Sequence, residues 1–267
     1  MRQLPVTSPN LGELFLAGGP NDAMLFAALE GHCPGRALVD DVAAPSQGVI
    51  RTHYGTTFFS NGTTDDFVTS AVTVLRAQGA VRLVVAEDQF AGRSFPAGHS
   101  RIIDRVEFRA REPQADRIAA LLLAVPAGCR RVPVDRGLLS RCLWRDEVVA
   151  AWGSSEGFLA HGRGLCLMQD DEILSEAYVL FAGAGRMELG VFTSESQRGH
   201  NLAAIVCAPL IKALEERGFA TYWSCHQSNG ASIGVARKLG FRDARSYRWI
   251  RYEAQAAYGL AGQDGRS

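Results

Sequence analysis

Apolar residues recur along the chain at two periods, and these lay out its elements. At helical spacing, Phe67, Ala71, Val74 and Leu75 share one face of residues 65–78, and Gly79 can close that helix. Leu202, Ile205, Val206, Leu210, Ala213 and Leu214 do the same over residues 202–217, where Gly218 can end the helix and Pro209 predicts a kink. Further helices are predicted near 22–30, over 114–124 up to the break at Pro126-Ala-Gly128, over most of 134–152, and over 232–239 up to Gly240. Short runs rich in β-branched and aromatic residues predict strands at 36–39, 48–60, 81–86 and 102–109. Asn61-Gly62 supplies a turn after the second of these. Strands at 162–168 and 172–181 flank an Asp170-Asp171 hairpin turn, and a strand at 187–193 follows Gly183-Ala-Gly185. Strands at 219–226 and 244–252 complete the series. The fold class is α/β. The break near 126 suggests an N-terminal α/β domain over 1–125 and a second domain over 130–267.

Composition narrows the function classes. With 267 residues, 47% of them hydrophobic, the chain can bury a substantial core. Basic and acidic residues balance at 28 each, so no nucleic-acid or anionic-membrane partner is expected. The six cysteines (33, 129, 142, 166, 207 and 225) are scattered without a Cys-x-x-Cys pair, so reduced thiols, no metal site and a cytoplasmic location are expected. No signal-peptide pattern opens the sequence, and no apolar run approaches the ~20 residues of a membrane span.

Residues 194–203 carry the first chemical signal. This polar loop, with Arg198, Gly199 and Asn201, joins a predicted strand to a predicted helix. Amides of a helix's first turn have no intrahelical partner, and the helix dipole favours an anion there, so the junction is suited to phosphate. A competing pattern is Gly230-Ala-Ser232-Ile-Gly234, which matches the nucleophile elbow of a serine hydrolase. That fold places its histidine after the serine, and the last histidine here is His226.

Two motifs together carry a resemblance. Arg198-Gly199-His200-Asn201-Leu202-Ala203 resembles the Gln/Arg-x-x-Gly-x-Gly/Ala signature of the GNAT N-acetyltransferases, with Asn201 at the middle glycine. About 30 residues on, the block from Asn229 and Ser232 to Lys238-Leu-Gly-Phe241 resembles the family's second motif. The resemblance covers roughly 134–253, and the whole chain is similar to bacterial two-part GNAT proteins. It implies a C-terminal GNAT acyltransferase fold, with the N-terminal half a degenerate copy that shapes the acceptor pocket or mediates dimerisation, a homodimer being then expected.

The resemblance further implies acetyl-CoA, or another acyl-CoA, as donor and a small-molecule or protein amine as acceptor. The amides of Arg198, Gly199, His200, Asn201, Leu202 and Ala203 would hold the pyrophosphate. Val191, Phe192 and Thr193 would pair with the pantetheine arm, and Asn229 and Ser232 would anchor its other side. Direct transfer needs a neutral amine, so Glu188 is the first candidate base and Glu176 the second. Ala236 stands where the family often has a tyrosine acid; Tyr247, Cys225 or solvent would substitute. A non-catalytic acyl-CoA sensor and a hydrolase using Ser232 are the alternative functions.

Overall fold

In the computed structural model, which describes residues 1–87, 95–112 and 114–255, helices pack on a long mixed sheet. The strands are β1 (Arg2–Leu4), β2 (Gly35–Val39), β3 (Gly48–Thr52), β4 (Thr56–Phe59), β5 (Val81–Ala86) and β6 (Arg101–Arg111), followed by β7 (Cys129–Pro133), β8 (Gly164–Gln169), β9 (Glu172–Gly183), β10 (Arg186–Thr193), β11 (Ala220–His226) and β12 (Phe241–Tyr252). The helices are α1 (Pro9–Gly12), α2 (Asp22–Leu29), α3 (Asp65–Arg76), α4 (Ala115–Leu123), α5 (Arg136–Leu139), α6 (Arg145–Trp152), α7 (Ser155–His161), α8 (Leu202–Glu215) and α9 (Gly230–Lys238).

Among the described residues the strand order is β1-β2-β3-β4-β5-β12-β6-β11-β10-β9-β8-β7. The C-terminal strand β12 lies between β5 and β6, in register with both. β6 precedes the expected boundary near 126, yet both its neighbours, β12 and β11, follow it. Helix α2 also crosses from the N-terminal half onto β9. The approach is so close that a Cβ on Gly183 would lie 2.3 Å from the Ala27 nitrogen. The expected second domain extends to 267, and its last residues, 256–267, lie outside the described residues.

Two apolar clusters hold the sheet. The larger joins Met24 and Leu25 of α2 with Val179 and Phe181 of β9 and with Ile205, Val206 and Leu210 of α8. The smaller sets Phe67, Val68, Ala71 and Leu75 of α3 on Val81, Leu83, Ile250 and Tyr252. The α3 face matches the periodicity except at Val74, which is 39% exposed. No helix of the described residues is long and apolar enough to cross a membrane.

β1 and α7 are elements the pattern does not predict, and three further regions differ from it. Residues 48–60 form the hairpin β3–β4 instead of one strand. Gly55, at φ 83°, donates its N–H to the Thr52 carbonyl at 2.9 Å and closes a turn hidden within the β-prone run. Residues 134–152 contain α5 and α6 with a loop between, because the Glu176 carboxylate accepts the Leu143 amide at 3.0 Å and the Trp144 amide at 3.5 Å. β7 is an edge strand whose arginines obscure any alternation.

Candidate active site

β10 and β11 run parallel and pair only at Arg186–Ala220, Met187–Thr221 and Glu188–Tyr222. At that point the β10–β9 register shifts between Glu188 and Leu189. The extra residue, Leu180, lies on β9, and such a bulge increases the local twist of the strand pair. From Leu189 onward β10 keeps β9 on one side and has left β11 on the other. The opened wedge contains two cavities that share Val191, Asn229 and Ser232 in their walls.

The first cavity, of about 670 Å³, is bounded by Val191–Thr193, the loop at Gln197–Gly199, the start of α8 and one face of α9. The loop conformation explains the residue at the glycine position of the motif. Gly199 has φ 86° and Asn201 has φ 62°, a left-handed conformation that asparagine adopts more readily than most side chains. Asn201 thereby directs the start of α8, whose hydrogen-bond ladder begins with the Ala204 and Ile205 amides on the Asn201 carbonyl. The amides before Ala204 lie at the mouth of the helix, as an anion site requires. Lys238 lines the same cavity, its Nζ 3.0 Å from Asn201 Oδ1. Arg198 Nε donates to the Thr193 carbonyl at 3.3 Å, with the guanidinium over the Phe192 ring. Asn229 Oδ1 caps α9 by accepting the Ser232 amide at 3.0 Å. Of the residues proposed for the donor, Val191, Phe192, Thr193, Arg198, Gly199, Asn201, Leu202, Ala203, Asn229 and Ser232 line this cavity. His200 does not; it is exposed, with Nδ1 3.3 Å from the Gln197 carbonyl.

The second cavity, of about 410 Å³, lies on the other side of the shared wall. Glu188 lines it and is 4% exposed. Its Oε1 accepts the Ser224 hydroxyl at 2.7 Å, while Oε2 has no protein partner. Burial pushes this carboxyl up to about 7; the Ser224 hydrogen bond and the Arg105 charge pull down, and the Glu107 and Asp22 charges push up. Ser224 Oγ is held in turn by Arg105 Nη2 at 3.0 Å and by Asn21 Nδ2 at 3.5 Å. Asn21 is fully buried, in a left-handed conformation, and also accepts the Trp249 indole N–H at 3.3 Å. The carboxyl that can take a proton is therefore oriented by residues from both halves of the chain.

Other sequence candidates sit differently. Tyr247 is fully buried and lines neither cavity; its hydroxyl accepts Arg105 Nε at 3.1 Å, and burial pushes its pKa up. The structure thus does not bring it to the site as an acid. Glu176, 1% exposed, is spent on capping the loop before α6. Ser232 Oγ accepts the Trp223 indole N–H at 3.1 Å, a donor that cannot remove its proton. Cys225 and His226 line the second cavity; burial raises the thiol and lowers the imidazole. Sequence reasoning missed Asn21, Tyr54, Arg82, Arg105 and Ser224, which carry no motif and reach the site only through strand order.

The sequence profile described as GNAT acetyltransferase matches residues 14–250. An uncharacterized N-acetyltransferase of Bacillus subtilis, YdfB, is 33% identical over 96 residues; the match spans 36% of this chain and 37% of that protein. A GCN5-related N-acetyltransferase-like protein from Streptococcus suis superposes with a TM-score of 0.66 at 23% identity, covering 90% of this chain and 96% of that one. A tandem GNAT protein from the clavulanic acid biosynthesis pathway gives 0.60 at 14% identity, covering 94% of each. Both share the fold.

Proposed function

Because the chain belongs to the GNAT acetyltransferase family, we propose that it is an acyl-CoA-dependent N-acyltransferase that moves an acetyl group directly to an amine. The single observation that carries this reading is the wedge between β10 and β11. It joins an anion-type loop on one side to a buried carboxyl with a raised pKa on the other.

The residues present fit such a donor. The left-handed turns at Gly199 and Asn201, the open first turn of α8 and the nearby Arg198 and Lys238 suit a pyrophosphate. The free side of β10 from Val191 to Thr193 suits an extended amide-bearing arm. Asn229 and Ser232 lie on the wall between the two cavities. A bound acyl-CoA would supply the acyl group as a thioester, its C–S bond breaking as the amide forms and coenzyme A leaving as a thiol protonated from solvent.

The chain's own contribution is proton handling and placement. Glu188, poised near neutrality, takes the proton that makes the acceptor amine a nucleophile, using its unpartnered Oε2. Ser224, Arg105 and Asn21 fix the carboxyl's orientation. We assign the N-terminal half, residues 1–125, the shaping of the acceptor cavity, supported by Met24, Tyr54, Arg82 and Arg105 in its wall. The hydrolase reading loses its base at Ser232. The sensor reading gives no account of a buried glutamate with a raised pKa facing a cavity.

The test is a thiol-release screen with acetyl-CoA against small amines. Release that depends on an amine and yields the N-acetyl product is expected. Tight coenzyme A binding without release under any acceptor would leave only the sensor.

A further inference from the structure

The second cavity contains an uncompensated positive charge. Arg82, on β5, and Arg105, on β6, both line it, and Glu188 is the acidic residue in its wall. Both guanidinium groups lie at the Trp249 ring, with their carbons 4.6 Å and 4.0 Å from its centroid. Arg105 is 8% exposed and held by Tyr247 and Ser224, neither of them charged partners. Arg82 is partly buried and contacts the rings of Trp249 and Tyr54. Among the described residues no carboxylate lies within ion-pair distance of either arginine.

Among the described residues Arg51 and Arg131 are also partly buried without a carboxylate in ion-pair distance, but each donates to backbone carbonyls and lies outside both cavities. The surrounding carboxylates are already paired with other arginines. Glu107 pairs with Arg245, Asp22 with Arg186, and both Glu87 and Asp104 with Arg248. Two partly desolvated guanidinium groups without a counter-ion are costly unless a ligand supplies the charge. A planar guanidinium presents paired N–H donors that match an oxyanion. A cavity of this size suits a small molecule.

We propose that the acceptor amine also carries an oxyanion, a carboxylate or a phosphate, which Arg82 and Arg105 bind while the amine faces Glu188. The substrate class is therefore the amino acids and related anionic amines rather than simple amines or polyamines. The proposal names the acceptor of the acyl-transfer reading and rests on it.

The test compares matched acceptors with acetyl-CoA: each amino acid, its amide, its decarboxylated amine, and the corresponding aminoalkyl phosphate. For the best acceptor set, kcat/KM is expected to favour the oxyanion-bearing member by on the order of tenfold to a hundredfold. The carboxylate and phosphate arms decide which anion is preferred. In Arg82→Gln that preference ratio collapses toward unity, and in Arg82→Lys it is intermediate. Equal turnover of anionic and neutral members by the unaltered protein would overturn the proposal, and that comparison does not depend on any variant folding. Calorimetric titration of the same compounds, with and without coenzyme A, separates the two readings. Oxyanion-selective binding without transfer would leave the anion site at Arg82 and Arg105 standing and remove its acceptor role together with the enzymatic reading. Transfer without oxyanion selectivity would do the reverse.

Discussion

Replacing Glu188 by glutamine tests the proposed base through two independent readouts. Burial raises this carboxyl from the ordinary 4.5 to about 7. At about 1.36 kcal/mol per unit, keeping it ionised in the folded protein costs roughly 3 kcal/mol. The folded state holds the proton between these two values, where the unfolded chain has released it. Stability associated with Glu188 is thus fully present below pH 4.5, falls as pH rises, and is lost above about pH 7. Glutamine does not ionise, although its amide leaves a buried donor where Oε2 already lacks a partner. Urea denaturation of both proteins should therefore show a gap that shifts in favour of Glu188→Gln by about 1–3 kcal/mol between about pH 5 and pH 8.5. In the transfer assay, kcat/KM of the unaltered enzyme should rise through a limb near pH 7. The variant should lose that limb along with roughly a hundredfold or more of its rate. A pH-independent stability gap would show that the carboxyl is not perturbed by burial. An unchanged limb would remove Glu188 as the base.

The other predictions address the frame around it. Asn201→Gly should preserve coenzyme A affinity, because glycine adopts φ 62° freely, whereas Asn201→Val should weaken it and lower stability by about 1–3 kcal/mol, read by calorimetry and thermal unfolding. Gly190→Ala would set a methyl 2.4 Å from the Tyr178 ring, which is stacked on Trp144 at 3.9 Å; a loss of about 1–3 kcal/mol and a raised acceptor KM are expected, and unaltered values would show that the stack yields easily. Tyr247→Phe removes the acceptor of Arg105 Nε and should lower stability by about 1–3 kcal/mol while leaving the limb near pH 7 in place; a rate loss as large as that of Glu188→Gln would restore Tyr247 to the chemistry.

Local signals were legible where one stretch of chain is sufficient. The α8 periodicity, the Asn201 backbone and the cap at Asn229 depend on residues a few positions apart; Leu202, Ile205, Val206, Leu210 and Leu214 are buried as the spacing predicts, whereas Ala213 of the same predicted face is exposed. The hairpin inside 48–60 was hidden, because β-propensity does not register a turn with one glycine among Thr, Tyr and Phe. The loop splitting 134–152 was hidden for another reason: its amides are capped by Glu176, more than thirty residues away.

The same division runs through the site. By itself the sequence determined the elements of the proposed donor side: a strand, a turn with left-handed residues, a helix start and a second capped helix are local objects that line one cavity. Only the tertiary structure decided the proposed acceptor side. Insertion of β12 between β5 and β6, and of β6 between β12 and β11, brings Arg82, Arg105 and Trp249 beside Glu188. The Glu188 carboxyl shifts because the assembled sheet excludes water from it, and Arg82 and Arg105 lack counter-ions because the nearby carboxylates went to other arginines. Desolvation and charge pairing belong to the packed neighbourhood, and residue spacing along the chain does not encode them.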